Sequence, residues 1–149
     1  MFKDAAGPEQ FPPEAMLPSD VGIAGLLLLT FRTLQAGSYA SQSLTAPQLI
    51  VARDAVTLRN TWNAYVRHGE PPAIDFKKET AVFLFAGRKN TGGYSIEVKD
   101  VKTSRKETVI DAPIKPPPPD SLTTQALTSP FVVIAIEKPN VKSVRWVNQ

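Results

Sequence analysis

The stretch Gly87-Arg-Lys-Asn-Thr-Gly-Gly-Tyr94 brings three glycines, two cations and a phenol together between the apolar run Val82-Phe-Leu-Phe85 and the alternating segment Tyr94 to Val98. Glycine reaches positive φ without a Cβ clash, and Asn90 tolerates that region better than most residues with a side chain. The pattern predicts a hairpin in which strand 81–86 turns back into strand 94–98, with Gly92 or Gly93 at positive φ. Chemically, Arg88 and Lys89 beside free backbone N–H groups suit a carboxylate or a phosphate. The spacing is not the Gly-x-x-x-x-Gly-Lys-Ser/Thr of a nucleotide loop, and the segment holds no nucleophile beside a base. Arg88, Lys89, Asn90, Thr91, Gly92, Gly93 and Tyr94 therefore stand either as a partner-binding surface or as a structural turn.

Elsewhere, catalytic chemistry lacks its parts. The chain contains no cysteine, which excludes disulfides, thiolate zinc sites and thiol nucleophiles. Its one histidine, His68, falls in the last turn of a predicted helix, where the helix dipole favours imidazolium and a capping role. A metal site there would have to recruit Glu70 and Asp75, which are near only in sequence. No serine sits in a Gly-x-Ser-x-Gly elbow, and Asp75, Glu79, Glu97 and Asp111 fall on strand ends or polar faces without a cleft signature. The expectation is a protein that is not an enzyme and uses no metal or other cofactor. A second contact candidate is Pro116-Pro117-Pro118-Pro119, at the centre of a long connection over 113–130. It reads as a polyproline II spacer with exposed carbonyls, or as a ligand for an aromatic groove. Connections of this length without regular structure are usually functional or disordered. Trp146, on the last predicted strand, either covers the sheet edge or marks a contact surface.

These residues need a scaffold, and the apolar periodicity supplies one. Leu26 to Leu34 is apolar on both faces and predicts a buried strand ending at Gly37-Ser38. Leu49-Ile-Val-Ala52 predicts a second buried strand running into a helix over 54–68, with Asp54 as N-cap and Leu58, Trp62 and Val66 at i, i+4 and i+8. Val56 and Tyr65 extend that stripe, and Gly69 ends it ahead of Pro71-Pro72. Strands follow at 81–86, 94–101, 108–110, 131–136 and 141–147. Residues 1–24, with four prolines and scattered acids, read as a flexible tail ahead of a single domain over 25–149. The first twenty residues lack the basic and apolar regions of a signal peptide, and the apolar Val21 to Phe31 is too short to span a membrane, which takes about 20 residues. Net charge is +3. Residues 1–86 carry seven Lys/Arg against eight Asp/Glu, and residues 87–149 carry ten against six. That lean suits an acidic partner surface, but it lacks the dense basic stripe expected of a nucleic-acid binder.

Three pieces together resemble a known family. Thr91-Gly-Gly-Tyr-Ser-Ile-Glu97, following Val82-Phe-Leu-Phe-Ala-Gly-Arg-Lys89 and followed by Leu127-Thr-Ser-Pro-Phe-Val-Val-Ile134, is similar to the C-terminal domain of the PrcB family, accessory subunits of bacterial surface protease complexes. Val51-Ala-Arg-Asp54, the helix with Trp62, and Ile74-Asp-Phe76 extend the likeness to about residues 30–148. Family members usually carry Pro where this chain has Asn90. The resemblance implies a non-enzymatic, extracytoplasmic domain, in the cell envelope or secreted, that associates with or stabilises a protease. A weaker likeness links Asn90-Thr-Gly-Gly-Tyr94 to a loop of chagasin-like inhibitors of cysteine peptidases, again without its proline. The expected fold is α+β: a mainly antiparallel sheet or small sandwich of about six strands with one helix packed on it. The expected activity is protein binding through the 87–94 loop and the 113–130 connection, with peptidase inhibition or small-ligand binding as alternatives.

Overall fold

The computed structural model describes residues 26–149; the tail assigned to residues 1–24 lies outside them. Three layers account for the apolar pattern. The central layer is a four-stranded sheet in the order β2 (Phe31–Gly37), β9 (Phe131–Ile136), β4 (Thr80–Phe85), β3 (Gln48–Ala52), all antiparallel. Against one face packs the helix α1 (Ala55–Thr61), which continues as a π-helical turn over Trp62–Val66. Against the other face packs a second sheet, β1 (Leu27–Leu28), β6 (Asp100–Thr103), β7 (Thr108–Asp111), β10 (Val144–Val147). A short ribbon pairs β5 (Ser95–Ile96) with β8 (Ile114–Lys115). The described residues thus form ten strands, several very short, in an α+β sandwich; β10 runs parallel to β7, the exception in a mainly antiparallel set.

The layering explains why β4 and β9 read as unbroken apolar runs. Side chains alternate faces along a strand, so a strand covered on one face alternates apolar with polar, and one covered on both does not. Ala81, Phe83, Phe85, Phe131 and Val133 face the helix with Leu58, Trp62 and Val66. Val82, Leu84, Val132, Ile134 and Ile136 face the second sheet with Val101, Ile110 and Val141. Every residue of β4 and β9 is buried.

Asp54 caps the helix as expected, its carboxylate accepting the Thr57 N–H at 2.7 Å. Trp62 anchors it: the ring meets Phe83 edge-on at 6.2 Å between centroids, and the indole N–H donates to the His68 carbonyl at 3.1 Å. Several expectations are corrected. The helix ends earlier than Gly69, at Arg67, which adopts the left-handed conformation while its N–H donates to Trp62 across a π-type turn. His68 consequently lies past the helix and contributes its backbone carbonyl, not an imidazole cap. Val56 points to solvent.

The run from Leu26 to Leu34 is not one buried strand. It splits at Leu29-Thr30 between two sheets, leaving Leu27 and Leu28 exposed at 65% and 71% on the edge of the second. The segment 94–101 splits in the same way into β5 and β6, in different sheets.

Candidate functional site

The predicted hairpin does not form. Strand β4 pairs with β3 and β9, while β5 pairs with β8, so the 87–94 loop connects two sheets and does not fold back on its own strand. The reason is burial: both faces of this sheet are covered, so the strand beside β4 must be apolar on both faces, as β9 is and the half-polar 94–98 is not.

What forms instead is a long-range pairing. The 87–94 loop runs from the end of β4 to β5, and the 113–130 connection, whose first residues form β8, runs back to the start of β9. Both segments are therefore clamped by the same two strand pairs, Phe85 opposite Phe131 at one root and Ser95 opposite Lys115 at the other. Between these roots the two lie antiparallel and bond directly. Lys89 N–H donates to the Thr128 carbonyl at 2.7 Å and Thr128 N–H to the Lys89 carbonyl at 2.9 Å. The Thr128 hydroxyl donates to the Thr91 carbonyl at 2.7 Å, and Gly92 N–H to the Thr124 carbonyl at 3.0 Å. The two candidate segments are one structure.

Close approach explains the glycine pair. Gly93 sits at φ +89°, and a Cβ there would lie 2.6 Å from the Pro117 Cβ and 3.2 Å from the Thr123 methyl. Gly92 has ordinary φ, but a Cβ would meet the Thr124 hydroxyl at 2.5 Å. Gly93 thus carries the expected positive φ, and Gly92 is small because the connection lies on it. Pro117 is half-buried against this contact, whereas Pro116, Pro118 and Pro119 are exposed. The proline run is not a rod of free carbonyls, since the Ser121 N–H and hydroxyl both donate to the Pro118 carbonyl, at 3.1 and 2.7 Å, and bend the chain.

A third segment, absent from the sequence expectations, completes the rim. Residues 38–42 follow β2 and run beside the end of the connection: Ala40 N–H donates to the Ser129 carbonyl, Ser129 N–H to the Ser38 carbonyl, and the Gln42 amide to the Leu127 carbonyl. Gly37, Phe85 and Phe131 align at this end of the central sheet, so all three segments leave from one edge. The rim exposes Tyr39 (57%), Leu127 (45%) and a fully exposed Leu122. These apolar residues were missed because each is isolated among polar neighbours in sequence; only exposure in the fold singles them out.

The two loop cations differ. Arg88 is exposed, while the Lys89 ammonium lies 5.5 Å from the centre of the Tyr94 ring, a cation–π contact that occupies part of its charge within the loop. Asn90 is exposed and Thr91 half-buried. Trp146 takes no part in the bonds that stitch the rim. Its indole N–H donates to the Ala112 carbonyl at 2.8 Å, and its ring packs on the core between the sheets. Among the described residues no three His, Cys, Asp or Glu side chains gather in a metal-holding group, and Asp75 instead organises a turn by accepting the Lys77 N–H at 3.0 Å.

The fold and this rim define a small β-sandwich module that presents a stitched, loop-built edge. Residues 80–137 match the family model described as PrcB C-terminal, a segment that begins with β4, ends just past β9 and contains both halves of the stitched pairing. The match bears out the resemblance read from the Thr91–Tyr94 motif and its flanking strands, over a shorter stretch than residues 30–148. No curated protein and no solved structure matches the chain.

Proposed function

We propose that the chain is a non-enzymatic accessory module that binds a protease through the stitched rim, in the cell envelope or secreted. The family match supports an accessory domain of a protease-related complex. The observation that carries the reading further is the rim itself: three segments bonded into one edge carry the exposed Tyr39, Leu122 and Leu127, and the exposed Arg88 lies on one of these segments. Exposed apolar and aromatic side chains on a rigid frame are the usual anchors of an interface, because they bury area without first losing loop entropy. Arg88 at the border adds steering toward an acidic surface. Among the described residues no helix is long and apolar enough to cross a membrane.

The test is capture of proteases from the envelope fraction of the source organism by the intact chain and by Leu122→Glu/Leu127→Glu. The wild type should retain a protease and the folded variant should lose it. Arg88→Ala should weaken capture mainly at low ionic strength, where screening is least. Undiminished capture by the folded double variant would remove the rim from the interface. Stoichiometric inhibition of papain-like or serine peptidases by the wild type would replace the accessory reading with the inhibitor one.

A further inference from the structure

The opposite end of the central sheet, where Phe31, Thr80 and Ile136 align, carries a different kind of surface. There the β6–β7 turn at 104–107 faces the β9–β10 loop at 137–143 across a cavity of about 210 Å³. Arg105 and Lys106 line it from the turn, Lys138 and Lys142 from the loop. The carboxylate in the lining, Glu107, is already gripped by the Arg145 guanidinium at 3.1 and 3.4 Å, so that pair cancels and leaves the four cations to set the field.

Both walls are held by hydrogen bonds that do not involve these charges. In the turn, the Ser104 hydroxyl accepts the Lys106 and Glu107 N–H groups at 3.2 and 3.3 Å, and Ser104 N–H donates to the Glu107 carbonyl. In the loop, the hydroxyl of fully buried Thr80 donates to the Lys138 carbonyl at 2.7 Å and accepts the Val141 N–H at 3.3 Å, while the Arg53 side chain donates to the Val141 carbonyl at 2.9 Å. Thr108 N–H joins the walls by donating to the Ser143 carbonyl. The backbone therefore fixes two walls that bring four cationic residues to the lining of one small space, an arrangement whose like charges favour the entry of an anion.

We infer that this cleft is an anion site for a multiply charged phosphate ligand of about diphosphate size. A phosphate carries roughly −1.5 to −2 at neutral pH and offers three acceptor oxygens, so two adjacent phosphates offset most of the charge of four cations where one carboxylate cannot. The Asn140 amide, also in the lining, adds a neutral donor. The site is separate from the protease-binding rim and stands or falls without it.

The test is titration of the intact chain with inorganic diphosphate at low salt, by calorimetry and amide NMR, with acetate at equal ionic strength as control. Saturable one-to-one binding is expected, with shifts confined to 104–108 and 138–143 and weakening as salt rises. Lys138→Gln/Lys142→Gln should bind about tenfold or more weakly, as losing two charge-assisted contacts implies. Arg59→Gln/Lys99→Gln, exposed cations that do not line the cleft, should bind like the wild type. All four side chains are surface groups, and matching melting temperatures verify the fold. Acetate binding as tightly as diphosphate, shifts scattered over unrelated lysines, or an unaffected Lys138/Lys142 variant would each overturn the site. Co-sedimentation with vesicles bearing phosphomonoester headgroups, lost in the same variant, would assign the phosphate to a lipid; diphosphate binding without vesicle binding would assign it to a soluble ligand.

Discussion

Replacing Gly93 by alanine probes the stitched rim most directly, because two separable penalties converge there. At φ +89° an L-residue occupies a conformation costing about 1–2 kcal/mol relative to glycine. The new methyl would also lie 2.6 Å from Pro117 and 3.2 Å from Thr123, and forcing a methyl into filled space typically costs about 1–3 kcal/mol. The sum is about 2–5 kcal/mol if the rim stays closed. The rim can instead detach locally, which caps the global loss at the energy of opening the bonds at Lys89, Gly92 and Thr128. Chemical denaturation reads the first outcome and amide exchange at those three N–H groups reads the second. Gly92→Ala should cost less, since its φ is ordinary and the atom it meets is a side-chain hydroxyl able to rotate. Adding Pro117→Gly to Gly93→Ala should restore part of the loss by removing the closer contact, while leaving the Thr123 contact and the cost of the positive φ. If Gly93→Ala lies within about 0.5 kcal/mol of wild type, the size of an ordinary surface change, and exchange at the three amides is unaltered, the loop and the connection are not bonded as described.

Trp62→Ala should destabilise by about 3–5 kcal/mol, because the indole is buried between helix and central sheet and its N–H holds the His68 carbonyl; a denaturation shift below about 1 kcal/mol would place the helix elsewhere. The hydrogen bonds from Arg32 to Glu79, at 3.0 and 3.1 Å, hold the Glu79 carboxyl below its ordinary value of 4.5. A depressed acid stabilises the fold at neutral pH and stops doing so as pH falls through its folded value, so Glu79→Gln should flatten the loss of stability below about pH 4.5. At pH 7 the same variant should cost only about 0.2–1 kcal/mol, since Arg32 is half exposed. An acid limb identical in variant and wild type would show that the pair does not govern it.

Local physics made part of this protein legible in its residues. Asp54 before an i, i+4, i+8 stripe specifies a capped helix and its buried face, and it does so here with Leu58, Trp62 and Val66. The unbroken runs of β4 and β9 announce strands covered on both faces. The Thr91–Tyr94 motif with its flanking runs was enough to anticipate the match of residues 80–137 to the PrcB C-terminal family model. Pairing was not legible, because strand periodicity encodes which face is buried but not which strand lies alongside. Sequence nearness therefore suggested a hairpin, where burial of both faces of β4 required β9, some fifty residues on. The same limit hid the close contacts of Gly92 and Gly93, though not the positive φ of one of the pair, because Thr124 and Pro117 reach them only in the folded chain. It also hid Tyr39, Leu122 and Leu127, ordinary residues in sequence that become a surface once three segments leave one end of the sheet. The convergence of Arg105, Lys106, Lys138 and Lys142 belongs to tertiary structure for the same reason: two short turns, each unremarkable alone, face one another only because β7 and β10 pair in parallel.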